Sequence, residues 1–142
     1  MPTYAASREL LASREDVWSF LAEPNRLSDW WPGLHGVEPD RRGLAPGARW
    51  RIRSRGTSNP LVGSKVDVAG TMIFLEVQPP GFVSWKFVDS RLDVELALAA
   101  PSPDRSQARL TVSAPIFGGL RRSLPNKALT RLHALCQTGA QA

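Results

Sequence analysis

The stretch from Ser13 to Gly33 limits the possible folds of this 142-residue chain more than any other segment. Ser13 and, three residues later, Asp16 form a capping-box pattern, which starts a helix by satisfying its first free backbone N–H groups. Apolar residues between Val17 and Leu21 then fall on one face of that helix. Pro24 ends it, because proline cannot continue an established helix. The pattern predicts two short helical segments in succession, and the second, from Asn25 to Asp29, leads to a pair of adjacent tryptophans.

The order Val17-Trp18, then Trp30-Trp31-Pro32, resembles the opening of the START-like superfamily, also called SRPBCC. Its members include Bet v 1-type allergens, lipid-transfer START domains and polyketide cyclases. The segment from Glu76 to Pro80, followed by an aromatic strand, resembles a second stretch common in that family. The resemblance implies an α+β helix-grip fold, in which a curved antiparallel sheet wraps around a long C-terminal helix and two short helices follow the first strand. It also implies one START-like domain over residues 1–142.

Composition agrees with one globular domain. The chain is 42% hydrophobic and 22% charged, which is ordinary for a soluble protein, and its length suffices for one core. No apolar run approaches the roughly 20 residues that span a bilayer, and the first residues lack the features of a secretory signal. The single Cys136 excludes an intramolecular disulfide and a multi-cysteine metal site. We therefore expect a cytoplasmic protein without stable membrane insertion.

Alternating apolar and polar residues predict most of the sheet. The predicted strands are Thr3 to Ala12, His35 to Arg41 (a poor candidate, interrupted by Pro39), Ala48 to Arg55, Lys65 to Gln78, Phe82 to Asp89, Arg91 to Ala99 and Ala108 to Ala114. Turns are predicted at 43–47, 78–81 and 101–104. Gly70 is expected to mark a bend or bulge. The inward-facing parity of residues 72–75 therefore stays open, as does the role of a loop at 56–64.

From about Phe117 to Thr138, apolar residues recur at three- and four-residue spacings, which predicts an amphipathic helix. Pro125 is expected to kink this helix or to begin its second half. In START-like domains the C-terminal helix lies across the mouth of the sheet. The resemblance therefore implies that this helix is a lid that buries the core.

The chain has a net charge of +5, and its densest basic cluster is an alternating series that we call the arginine ridge: Arg49, Arg51, Arg53 and Arg55. Alternation places the four on one face of a strand. One interpretation is a surface that binds phosphate or anionic lipid. We favour the solvated face of an antiparallel strand, with Asp93 and Glu95 of another strand as cross-strand partners. No nucleic-acid-binding motif accompanies the ridge, so no nucleic-acid partner is expected.

Few residues offer catalytic chemistry. His35 and His133 lack a second ligand at a useful spacing, so no metal is expected, and no cofactor fingerprint indicates a cofactor. Cys136 is expected to be a buried, inert thiol, with His133 turned to solvent. The candidates for acid–base chemistry are Tyr4, His35, Ser54 and Ser84.

Five tryptophans in 142 residues indicate either a pocket for a ring-containing or acyl ligand or a dry, filled core. We favour the pocket, because the grip architecture leaves space between sheet and helix. Trp30 or Trp31 is expected to close one end, and the strand residues are expected to face the final helix. The predicted pocket residues are Trp31, Trp50, Ile52, Trp85, Phe87, Leu96, Leu129 and Leu132.

The resemblance implies three functions. The first is a non-catalytic binding or carrier protein for a small hydrophobic molecule, lipid-like or polyketide-like. The second is an aromatase/cyclase-type enzyme of polyketide metabolism. The third, based on Trp30-Trp31, is an interaction or stress-related module similar to the Hsp90 activators. Whether the chain forms a homodimer is left open.

Overall fold

A single antiparallel sheet with three helices forms the described part of the chain. A computed structural model describes residues 3–31, 34–54, 68–88, 91–114 and 123–141. In chain order, the elements are β1 (Thr3–Leu10), α1 (Arg14–Ala22), α2 (Pro24–Trp30), β2 (Leu34–Glu38), β3 (Arg49–Ser54), β4 (Val68–Gln78), β5 (Phe82–Phe87), β6 (Leu92–Ser102), β7 (Arg105–Ser113) and α3 (Leu124–Gln141). The strand order is β1-β7-β6-β5-β4-β3-β2, and all neighbours are antiparallel. This arrangement confirms the predicted α+β helix-grip fold.

The first short helix begins where the sequence predicts, and the second begins one residue earlier than predicted, at Pro24. The backbone N–H of Asp16 donates to Ser13 Oγ at 3.1 Å, which caps α1. Pro24 is the first residue of α2, a position where proline's missing N–H removes no helical hydrogen bond. Because α2 has only seven residues, it ends at Trp30 and places Trp30 and Trp31 in the core.

Two bulges set which residues of β4 point inward. Met72 and Phe74 are buried, which settles the parity left open by the sequence. The register shifts between Phe74 and Glu76, so Leu75 is an extra residue and is 54% exposed. A second shift lies beside Gly70, which pairs with Ile52 just before the break. The bulge predicted at Gly70 is therefore confirmed.

The hairpin between β6 and β7 is longer than the sequence predicts. β6 continues through Pro101 to Ser102, and β7 begins at Arg105, so the turn consists only of Pro103 and Asp104. The register shifts between Ala99 and Ser102. A strand tolerates proline at such an irregularity, because no ladder hydrogen bond from its nitrogen is needed there.

Pro125 is the second residue of α3, so it lies in the first turn and does not kink the helix. The predicted helical residues 117–122 and the predicted loop at 56–64 lie outside the described ranges. α3 packs against β1, β7 and α2. Its buried face consists of Pro125, Ala128, Leu129, Leu132 and Cys136.

The arginine ridge is exposed where the structure describes it, at Arg49 and Arg51. The predicted pairing with Asp93 and Glu95 is wrong, because β4 and β5 separate β3 from β6. Three strand spacings place those carboxylates roughly 14 Å away in the sheet. The residue opposite Arg51 is Glu38. The side chain of Arg53 and all of Arg55 lie outside the described residues.

A loop at residues 39–48, which we call the 39–48 loop, is held against β3 and β4 by hydrogen bonds. The Asp40 carboxylate accepts the backbone N–H groups of Arg49 at 2.8 Å and Arg42 at 2.9 Å. The Gly43 carbonyl accepts the indole N–H of Trp50 at 2.9 Å. The bond from Arg49, with smaller contributions from Arg42, keeps the pKa of Asp40 below its ordinary value of 3.8.

Replacing Asp40 with Asn should lower Tm at pH 7, because the amide nitrogen cannot accept a backbone N–H. The folded-state pKa lies below the ordinary 3.8, so the carboxylate's contribution is complete above pH 3.8 and is lost as the pH falls through the folded value. The difference in Tm between the two proteins should therefore shrink in acid, as measured by circular dichroism. Asp29→Asn, which removes an exposed carboxylate from α2, is the control. Equal losses in both variants would contradict the prediction.

The double variant Arg49→Gln, Arg51→Gln should unfold in urea within about 0.5 kcal/mol of the parent protein, since both side chains are exposed. Its binding to duplex DNA and to anionic vesicles should be as weak as the parent's. If the parent bound either with nanomolar, salt-sensitive affinity and the variant did not, the ridge would be a binding surface.

Candidate functional site

Six aromatic rings join α2 to the middle of the sheet. We call them the aromatic cluster: Trp30, Trp31, Trp50, Phe74, Trp85 and Phe87. The Trp85 ring is central, with centroid distances of 6.4 Å to Trp30, 5.7 Å to Trp31, 6.0 Å to Phe74 and 6.3 Å to Phe87. Most of these pairs meet edge to face, which matches the positive edge of one ring with the negative face of the next.

A small cavity lies within this cluster. Its volume is about 10 Å³, which is room for about one water molecule. Its wall comes from α1, α2, three strands and the 39–48 loop, through Leu21, Leu27, Trp30, Leu44, Trp50, Met72, Phe74, Val83 and Trp85. In this conformation the rings therefore occupy most of the space that the sequence predicts as a pocket.

All eight predicted pocket residues are buried, but they lie in two parts of the core. Trp50 and Trp85 border the cavity, and the Trp31 and Phe87 rings pack against Trp85. The other four are not part of the cavity wall: Ile52, Leu96, Leu129 and Leu132.

The width of the sheet explains this division. Seven strands span roughly 29 Å, whereas one helix with its side chains is about 10 Å wide. α3 packs against β1, β7 and α2, and the cavity beside β3, β4 and β5 is bordered by α1 and α2. Sequence reasoning missed the wall residues Leu21, Leu27, Leu44 and Val83. The burial of Leu21 and Val83 follows from periodicity, but that of Leu44 does not.

The indole N–H groups of the cluster differ in their partners. Trp50 donates to the Gly43 carbonyl. The buried N–H groups of Trp30 and Trp85 have no acceptor among the described residues. Both residues are almost completely buried, at 1% and 2% exposure. An unsatisfied buried donor costs about 1–3 kcal/mol, so a molecule that brought these two N–H groups an acceptor would be favoured.

The predicted acid–base candidates do not border this cavity where the structure describes them. Ser84 precedes Trp85 on β5, so its side chain points to the opposite face of the sheet. Tyr4 lies on β1, which is separated from β5 by β7 and β6. The side chains of His35 and Ser54 are outside the described residues, and His133 is half-buried rather than turned to solvent.

Within the described ranges, no group of three or more His, Cys, Asp or Glu residues is placed to hold a metal ion. None of the helices in those ranges is long and apolar enough to cross a membrane.

A larger, half-open groove of about 540 Å³ lies between α1, the β6–β7 turn and Cys136. The hydroxyl groups of its two serines already form hydrogen bonds with the backbone of α1. Ser13 Oγ accepts the backbone N–H of Asp16, and the Ser19 hydroxyl donates to the Glu15 carbonyl. Burial, with a smaller effect of the Asp16 charge, raises the pKa of the Cys136 thiol from 9.0 to about 11. The thiol is therefore buried, as predicted, and none of the described groove residues has an unmet buried donor like those of Trp30 and Trp85.

Cys136 should react slowly with a disulfide reagent at pH 8 in the folded protein. With a pKa of about 11, only about one thiol in a thousand is ionised at that pH. The rate should rise as the pH approaches 11, provided that the fold persists there. Urea-unfolded protein is the control and should react at the rate of an ordinary cysteine. Equal rates in folded and unfolded protein would contradict the buried position.

The sheet, the short helices after β1 and the C-terminal helix define a protein of the helix-grip class. A family model described as polyketide cyclase / dehydrase and lipid transport matches residues 1–135. The chain therefore belongs to this family of the SRPBCC superfamily. No curated protein matches it.

Solved structures with the same fold include several bacterial proteins. A conserved protein of unknown function from Enterococcus faecalis has 19% identity and a TM-score of 0.72, with 99% of this chain and 74% of that chain covered. A protein from Nitrosomonas europaea has 18% identity and a TM-score of 0.70, with 99% and 97% covered. The Aha1 dimer from Colwellia psychrerythraea has 16% identity and a TM-score of 0.65, with 97% and 96% covered. At these identities, the similarity shows the fold alone.

Proposed function

We propose that this chain is a cytoplasmic binding or carrier protein for a small hydrophobic molecule, lipid-like or polyketide-like, and that it catalyses no reaction. The observation that carries the proposal is the cavity of the aromatic cluster, which is lined by apolar side chains, two of which, Trp30 and Trp85, have a buried indole N–H without an acceptor. An apolar wall with a few polar groups is typical of small-molecule sites. We place the ligand there, in contact with Trp50 and Trp85 and next to Trp31 and Phe87.

The composition of the wall supports binding rather than catalysis. Ring closure and dehydration both require proton transfer from a positioned acid or base. Among the described residues, the cavity wall contains no titratable side chain. Ser84, which is buried, lies on the other face of β5.

Ligand binding requires the cavity to enlarge, since sites for small molecules have volumes of about 300–1,000 Å³. Leu44 is the wall residue that lies outside helices and strands. Its loop is held by hydrogen bonds at Asp40, Gly43, Gly47 and Ala48, and movement of the loop has to break or rearrange some of them. Outward movement of the 39–48 loop is therefore the route by which we expect the cavity to open.

The small cavity also favours a second function. A domain whose core is almost filled suits an interaction module, and the solved Aha1 relative is a protein whose structure was determined as a dimer. In that function the aromatic cluster only stabilises the fold, and a partner protein or a second copy binds elsewhere.

Tryptophan fluorescence should change on addition of micromolar hydrophobic probes, such as fatty acid methyl esters or aromatic ketones, because four of the five tryptophans are in or beside the proposed site. Trp85→Ala should weaken binding by at least about tenfold, whereas Arg49→Gln should leave it unchanged. Because Trp85→Ala removes about 3–5 kcal/mol of core stability, Trp85→Phe serves as a milder variant, with circular dichroism to verify folding. If a broad panel of apolar compounds produces no response, the carrier function is excluded and the interaction module leads.

A further inference from the structure

We infer that the cavity selects ligands with a neutral carbonyl group, such as a ketone, ester, lactone or quinone, attached to a hydrophobic body. This inference rests on the proposed function, because it specifies the chemistry of the molecule bound there. It follows from which hydrogen-bonding groups the wall offers and which it lacks.

The two wall residues whose indole N–H groups lack an acceptor come from different elements. Trp30 ends α2 and Trp85 lies in β5, and both rings border the cavity. Their centroids are 6.4 Å apart and their planes nearly perpendicular, at 87°. A carbonyl oxygen has two lone pairs and can accept two hydrogen bonds. The other rings around these indoles are at best weak acceptors, so they do not replace an oxygen.

The third indole on the wall is not available to a ligand. Trp50 already donates to the Gly43 carbonyl at 2.9 Å, and this bond also holds the 39–48 loop. The three tryptophans of the wall therefore have different roles. Trp50 fixes the loop, and Trp30 and Trp85 remain as donors without an acceptor.

What the wall lacks determines which ligands it rejects. Among the described residues it has no cationic side chain. The negative charge of a buried carboxylate would therefore have no counter-charge. Its side chains include no oxygen acceptor, so the O–H of an alcohol would lose its water partner without gaining another. A site rejects a group that is left unpaired on burial more strongly than one that only lacks a contact.

The test compares four ligands that share a naphthalene ring: acetylnaphthalene, the corresponding alcohol naphthylethanol, the hydrocarbon ethylnaphthalene and the anion naphthoate. Calorimetric titration of the full chain should show the ketone binding about threefold to tenfold more tightly than the alcohol or the hydrocarbon, and naphthoate binding most weakly. In ¹H–¹⁵N spectra, the indole N–H signals of Trp30 and Trp85 should move downfield with the ketone but not with the hydrocarbon.

Trp30→Phe and Trp85→Phe each keep an aromatic ring and remove the N–H. Either variant should reduce the preference for the ketone over the hydrocarbon, and the hydrocarbon itself should bind with less change. Trp18→Phe is the matched control, since Trp18 lies on α1, is half-buried and is not part of the cavity wall. If a variant does not fold, the ligand ranking and the indole N–H shifts of the parent protein decide whether the carbonyl selection is correct.

The outcomes separate the two levels of the proposal. If none of the four ligands binds, the proposed function fails and this inference with it. If all four bind equally, or if the ketone preference persists in both phenylalanine variants, the carbonyl selection is wrong while the carrier function stands.

Discussion

The contact of Trp30 and Trp31 with Trp85 is the interaction on which this part of the fold depends. Two adjacent residues at the end of α2 both reach the same ring of β5, at 6.4 and 5.7 Å. This contact fixes the position of α2 on the sheet, and thereby the place where the chain enters β2. Large rings bury more apolar area than any other side chains, so the contact also supplies much of the local stability.

The sequence predicts the features that depend on neighbouring residues. Ser13 starts α1, Pro24 prevents it from continuing, and alternation places Trp50 and Trp85 on the inner face of the sheet. The features that it does not predict depend on pairing between distant segments. The exposed bulge at Leu75 exists because β4 meets β5 in a particular register, and the Asp40 carboxylate binds the backbone of a strand nine residues away.

The sequence predicts that aromatic residues line the proposed site, but it does not predict the shape of the space between them. That aromatic rings face inward follows from period-two alternation, whereas the space left between them depends on how α1, α2 and the 39–48 loop pack against the sheet. The unmet N–H groups of Trp30 and Trp85 cannot be read from sequence at all, because Trp50 is the same residue type and is satisfied. One fold can carry many functions. The proposed site is therefore characterised by the hydrogen-bond partners of its three tryptophans and not by the fold.

Because α3 packs against β1 and β7, the two halves of the core differ in composition and in the elements that they join. One half is aliphatic, with Leu10, Leu110 and Leu129 fully buried, and it joins β1 and β7 to α3. The other half is aromatic and is bordered by a loop. Substitutions in the aromatic half therefore change the proposed ligand cavity, while the aliphatic half keeps its contacts. Because the aromatic rings are also core residues, an exchange of one ring for another leaves more of the stability in place than a truncation to alanine.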